Sequence, residues 1–235
     1  MYSDFRTKLL SLSDEKYRVF CMRGIPSDRP FLGVRIPDIR KLVEKIPPSD
    51  FAEFLNTEPL AIEEVLARGF LIARLPYAEM LGYFDSQIGL LDNWCTVDTF
   101  CASLRKVIRH HEADFFDQKV EKLLDSKNEF AIRAGLVSLL DFYVNPDYLA
   151  VIFDRVERLK DRDEYYVKMA LAWLLAECFI KFEDETYAYL KVAKLPKWTL
   201  NKAISKICDS YRVDDSAKAE VGKLRVKTLD QIKKL

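Results

Sequence analysis

The sequence predicts an all-α chain built from short helices packed as antiparallel pairs. Three observations carry that prediction. The 235 residues hold only 7 Gly and 9 Pro beside 49% hydrophobic and 31% charged residues, too little turn material for a many-stranded sheet, which needs a tight turn every 8 to 12 residues or so. Apolar residues recur at helical spacing along almost the whole chain. The connections between those periodic stretches are a few residues long, and short links hold successive helices side by side in opposite directions.

In chain order the periodicity predicts helices over 3–22, 37–46, 59–73, 76–87, 93–110, 112–124, 128–143, 147–159, 164–181, 183–194, 198–210 and 216–233. Pro37 sits at a first helical position. Asn93 stands before Trp94 and Asn128 before Glu129, while Asn145-Pro146-Asp147 and Asp163 open the helices that follow them, all residue types that satisfy the free N–H groups of a first turn. The apolar run Met169–Leu175 is far short of the ~20 residues a membrane span needs and reads as a buried helix.

Three of these helices begin alike, at Asn93-Trp94, Asn128-Glu129-Phe130 and Glu164-Tyr165-Tyr166, which sets Asp98, Arg133 and Trp173 35 and 40 residues apart. Helical repeats of the armadillo and HEAT kind recur at about 40 to 47 residues. The expectation is therefore a HEAT-like, right-handed superhelical solenoid with a concave groove, a single domain over 1–235 whose stretch 213–235 forms a capping helix with a polar outer face. Matching positions of the second helices would line the groove, so that Trp94, Asp98, Arg133 and Trp173 share one wall.

Net charge is zero, which gives no global signal for a polyanionic partner. Its distribution is uneven: residues 1–46 carry +4, residues 196–235 carry +5, and the middle carries −9. Neither Gly-rich phosphate-binding fingerprint is present, which sets aside dinucleotide and nucleoside-triphosphate enzymes. The five cysteines, Cys21, Cys95, Cys101, Cys178 and Cys208, are odd in number and widely spaced, as small core residues of a reducing compartment are. The opening residues lack a basic start followed by an apolar run. A cytoplasmic location, no membrane contact and a monomer are the corresponding expectations.

On helix 93–110, Val97, Phe100, Leu104, Val107 and Ile108 form the core face, and Trp94, Asp98 and Arg105 form a second stripe beside it. On helix 128–143, Ile132, Leu136, Leu139, Leu140 and Tyr143 are the buried set, with Phe130, Arg133 and Val137 alongside. By pattern alone the tryptophans read first as core residues, and Asp98 with Arg133 as an ion pair between repeats. A carboxylate flanked by indoles and faced by a guanidinium is also what would hold a cationic sugar on a phosphate polymer. His110 and His111 point about 100° apart on a helix and cannot chelate one metal together. Arg35 and Arg40 read equally as contacts to a nucleic-acid backbone or as partners of neighbouring acids.

Four segments stand in register: Gly33-Val34-Arg35-Ile36-Pro37-Asp38-Ile39-Arg40, Asn93-Trp94-Cys95-Thr96-Val97-Asp98, Phe130-Ala131-Ile132-Arg133-Ala134, and Val167 through Trp173-Leu174-Leu175-Ala176-Glu177. On these, the chain resembles the DNA alkylation repair enzyme family, the AlkD-like DNA glycosylases, over residues 15–212. The resemblance implies hydrolysis of the N-glycosidic bond of cationic alkylated purines, 3-methyladenine and 7-methylguanine, in double-stranded DNA, with neither metal nor organic cofactor. It implies Asp98, Trp94, Trp173 and Arg133 as the catalytic set, and Arg133, Phe130, Lys168, Arg35 and Arg40 as contacts to DNA. The sequence departs from the family at Ala176, where an arginine is common, and at Phe130, where a tryptophan is. The competing expectation is a non-catalytic HEAT-like protein that binds DNA or a protein partner along the same groove.

Overall fold

The structure, a computed structural model, describes residues 2–226. Within them the periodic stretches become sixteen α-helical segments and no strand. These are α1 (Tyr2–Ser11), α2 (Glu15–Gly24), α3 (Ile36–Glu44), α4 (Phe51–Asn56), α5 (Ile62–Ile72), α6 (Tyr77–Ile88), α7 (Trp94–Ser103) and α8 (Arg105–Ile108). They continue with α9 (Glu112–Phe115), α10 (Glu121–Leu124), α11 (Glu129–Ser138), α12 (Leu149–Leu159), α13 (Tyr165–Lys181), α14 (Glu183–Val192), α15 (Lys197–Asp209) and α16 (Asp215–Gly222). A π-helical turn, Phe116–Val120, joins α9 to α10, and another, Leu139–Tyr143, extends α11.

Several boundaries differ from the expectation, each for a local reason. The helix expected over 3–22 is two: the first ends at Ser11, and Asp14 starts the second, its side chain accepting the N–H of Tyr17 at 3.0 Å. Helix α4 follows Pro47 and Pro48, too short for its period to register. The helix expected over 93–110 is interrupted at Leu104, between α7 and α8, and ends at Ile108, after which His110 takes φ 75°, so the two histidines sit in a turn and His111 stacks on Tyr77 at 4.1 Å. The last helix ends at Gly222 and the expected helix does not continue over 223–226, while the rest of its expected length, from residue 227, lies outside the described residues.

The chain forms two compact units, one ending at Gln118 and one beginning at Lys119. In the first, α5 packs against α3, α4, α6 and α7, and every residue from Ala61 to Ile72 is buried. A helix with neighbours on all sides must settle its polar groups internally. Glu64 accordingly reaches back to the N–H groups of Leu60 and Ala61 (2.7 and 2.9 Å), and Arg68 donates to Gln87 and Ser86 (2.7 and 2.9 Å). In the second unit α13 plays the same part, packing against α11, α14 and α15. All five cysteines are free thiols, three of them buried. No helix among the described residues is long and apolar enough to cross a membrane.

Candidate functional site

The first unit positions Arg35, Arg40, Trp94 and Asp98. The starting point is the buried Glu63 of α5, whose carboxylate accepts three backbone N–H groups in a row: Leu32 at 3.0 Å, Gly33 at 2.8 Å and Val34 at 3.2 Å. Gly33 has φ 83°, and a Cβ there would lie 2.4 Å from the Asp14 carbonyl oxygen, so only glycine lets this loop lie against the start of α2. Asp14 returns the contact by donating its N–H to Gly33 O at 3.0 Å. The clamped loop sets Arg35 over α2, its guanidinium 4.4 Å above the Tyr17 ring and 3.3 Å from the Asp14 carboxylate. Arg40, one turn further along α3, lies instead over Phe70 of α5 at 3.9 Å. The Gly33–Arg40 motif is thus a loop held by a buried carboxylate, with two guanidinium groups placed over aromatic rings.

The same unit fixes the first turn of α7. Asp92 accepts from Ser27 (2.7 Å), Arg29 (3.1 Å) and the Asn93 side-chain amide (2.7 Å), and Asn93, fully buried, caps the helix by accepting the Thr96 N–H at 3.0 Å. The helix therefore begins at one defined residue. Trp94, at its first position, donates its indole N–H to the carbonyl of Gly24 at the end of α2 (2.9 Å) and remains 36% exposed. Asp98 follows one turn later on the same stripe, half-buried. Burial, with Asp98 and Glu63 adding negative charge, pushes the Cys95 thiol up to about 11. Burial and a hydrogen bond with Cys21 raise Tyr17 to about 12. Both groups are neutral at physiological pH.

The second unit positions Phe130, Arg133, Lys168 and Trp173. Asn128 caps α11 through the N–H groups of Phe130 and Ala131 (2.9 and 3.0 Å). From there α11 holds the start of α13 on both sides of one residue. Glu129 accepts the Tyr166 N–H at 2.7 Å, Arg133 donates to the Tyr166 carbonyl at 3.1 Å, and Phe130 packs on the Tyr166 ring at 5.4 Å. The stripe expected to lie along the edge of α11 is interior: residues 131–139 are all buried and Arg133 is 6% exposed. Arg133→Ala is expected to lower stability by about 2 kcal/mol by removing a charge-assisted bond from a buried site, read as a lower denaturant midpoint at unchanged m-value.

Lys168 is held at 2.7 Å by Asp163 and lies over Trp198 of α15 at 5.4 Å. Trp173, half-buried, receives Lys206 of α15 over its ring at 5.9 Å. Trp173, Ala176, Glu177, Lys206 and Arg212 line one cavity of about 290 Å3, in which Arg212 pairs with Glu177 at 2.5 Å. With alanine at 176, positive charge beside this tryptophan comes from α15 and the turn after it. Tyr17, Tyr166 and Trp198 were not among the residues expected from sequence. The cations set against them, Arg35, Arg133 and Lys168, lie 18 or more residues away, where helical spacing carries no signal, and only the Arg35 motif and the basic C-terminal stretch pointed toward them.

No curated protein matches the chain. The profile of one family, described as DNA alkylation repair enzyme, matches residues 5–207 and so takes in all eight of the residues expected to act on DNA. Those eight lie on the clamped loop, α3, α7, α11 and α13, and the chain belongs to the DNA alkylation repair enzyme family.

Proposed function

We propose that the protein is a DNA glycosylase that hydrolyses the N-glycosidic bond of cationic alkylated purines, 3-methyladenine and 7-methylguanine, in duplex DNA. The observation that carries this reading is a carboxylate, Asp98, one turn after an exposed indole, Trp94, on a helix whose first turn is fixed by Asn93 and the Asp92 network. A cationic base needs little help to leave, because the bonding pair returning to its ring nitrogen neutralises it. Positive charge then develops on the deoxyribose. Asp98 stabilises that charge and orients the water whose oxygen bonds to the anomeric carbon while its proton passes to the carboxylate or to solvent, the electrostatic logic of glycoside hydrolysis with one carboxylate.

Trp94 and Trp173 pack against sugar and backbone and keep bulk water away. Arg133 supplies positive charge to a phosphate beside the lesion, its position set by Tyr166, and Arg35, Arg40, Lys168 and Phe130 lie along the backbone. The base carries its own charge, so the step requires neither metal nor organic cofactor. The same reading takes the chain as a HEAT-like solenoid forming one domain and acting as a cytoplasmic monomer. Within the units, α3, α5 and α7 pack in succession, as do α11, α13 and α15, the alternate-helix neighbourhood that stacked helix pairs produce.

Zero net charge favours a second reading, a non-catalytic protein that binds DNA or a protein partner. The test is incubation with duplexes carrying 7-methylguanine, a neutral lesion or no lesion, followed by alkali. Breaks at 7-methylguanine alone support the glycosylase, and breaks at none while DNA is bound support the second reading. If Arg35 contacts a phosphate, Arg35→Ala weakens binding and flattens the dependence of log affinity on log salt by about one unit, while its exposed pair with Asp14 contributes little to stability. An unchanged slope would confine Arg35 to Asp14 and Tyr17.

A further inference from the structure

The solvent side of α15 gathers aromatic and basic side chains. Thr199, Leu200, Ala203, Ile204 and Ile207 are buried, which turns Lys197, Trp198, Asn201, Lys202, Ser205 and Lys206 outward. Five of these, all but Lys206, line an open cavity of about 460 Å3. Trp198 is 40% exposed, yet its plane is fixed from α13 by Lys168 over the ring at 5.4 Å and Tyr165 against it at 5.9 Å and 62°, with Tyr165 itself 54% exposed. Arg225 adds a cation at the other end by donating to Ser205 at 3.1 Å, and Asn201 secures that segment with paired bonds to the Val226 backbone, both 3.0 Å. Acids at this face include Asp209, at the end of α15, and Glu177, which both line a cavity with Lys206, and Asp163, which pairs with Lys168 at 2.7 Å.

Two large, rigidly held, exposed aromatic rings among four lysines and an arginine suit a ligand that is planar and apolar on one part and anionic on another. A duplex offers this surface only phosphates, because its bases are stacked and paired, and phosphates have no use for an indole. An unpaired strand offers both, its bases to the rings and its phosphates to the cations, which is how single strands are held without sequence preference. We infer that the α15 face, with Trp198 as platform and Tyr165 beside it, binds a single-stranded stretch of nucleic acid. The inference rests on the reading of DNA as the partner and adds to it a site for unpaired nucleotides, separate in role from Asp98.

The experiment compares binding of the full chain to a blunt duplex and to the same duplex with a short single-stranded overhang, at fixed salt. The overhang is expected to raise wild-type affinity roughly ten-fold. Trp198→Ala should abolish that gain at unchanged melting temperature and unchanged affinity for the blunt duplex, and Trp198→Phe should retain much of it. No gain in the wild type, a gain that survives Trp198→Ala, or an equal loss on both DNAs would overturn the inference. Excision from a blunt duplex carrying 7-methylguanine, measured in parallel, separates the two readings. Excision without an overhang preference removes only the α15 site, and an overhang preference without excision removes only the glycosylase.

Discussion

Asp98→Asn should slow excision of 7-methylguanine by about 10² to 10³ while leaving folding and DNA binding intact. The substitution keeps size and hydrogen-bonding capacity and removes only the negative charge. The first turn of α7 is held by Asn93, Asp92, Ser27 and Arg29, so the amide occupies the place of the carboxylate. What disappears is stabilisation of a cationic sugar, and the loss of one preorganised electrostatic group costs about 2.7 to 4 kcal/mol of transition-state energy. Binding should hold or improve, because a carboxylate near phosphates is repulsive. Single-turnover rates on a lesion-bearing duplex, with affinity measured alongside, check both halves; a rate that falls only as far as affinity falls would assign Asp98 to binding.

The largest effect on stability is expected from Glu63→Ala. Its carboxylate satisfies the N–H groups of Leu32, Gly33 and Val34 inside the first unit, and each donor left without a partner costs about 1 to 3 kcal/mol. A total of about 3 to 5 kcal/mol should appear as a fall in Tm on the order of 10 °C. The loop that carries Arg35 to Tyr17 loses its anchor at the same time, so DNA affinity should fall further than Arg35→Ala alone accounts for. An unchanged Tm would mean that the loop is held by Gly33 and Asp14 without the carboxylate.

The helices were legible because their apolar spacing is strong and because Asn93 and Asn128 announce first turns that the structure caps as expected. The break at Asp14 was not, since Leu9, Leu10 and Leu12 continue the apolar pattern into the turn. Trp94 and Asp98 could be read as one stripe because both lie on a single helix. The burial of Arg133 could not, because the residue that covers it, Tyr166, comes from 33 positions along the chain. Glu63 gave no signal at all: a glutamate in an apolar helix reads as a solvent-facing position until the loop that surrounds it is known. Trp198 was hidden in the same way, its character set by Lys168 and Tyr165 of another helix.

The central claim is bond cleavage, and identifying the released product tests it most directly. The wild-type protein, in excess over a duplex carrying a single 7-methylguanine, should release free 7-methylguanine, detected by chromatography, in step with one abasic site per duplex. Release should be far faster than spontaneous loss and fall to near that background with Asp98→Asn. Release at the spontaneous rate from DNA that is demonstrably bound, or equal release by wild type and Asp98→Asn, would contradict the account and leave a DNA-binding protein without this chemistry.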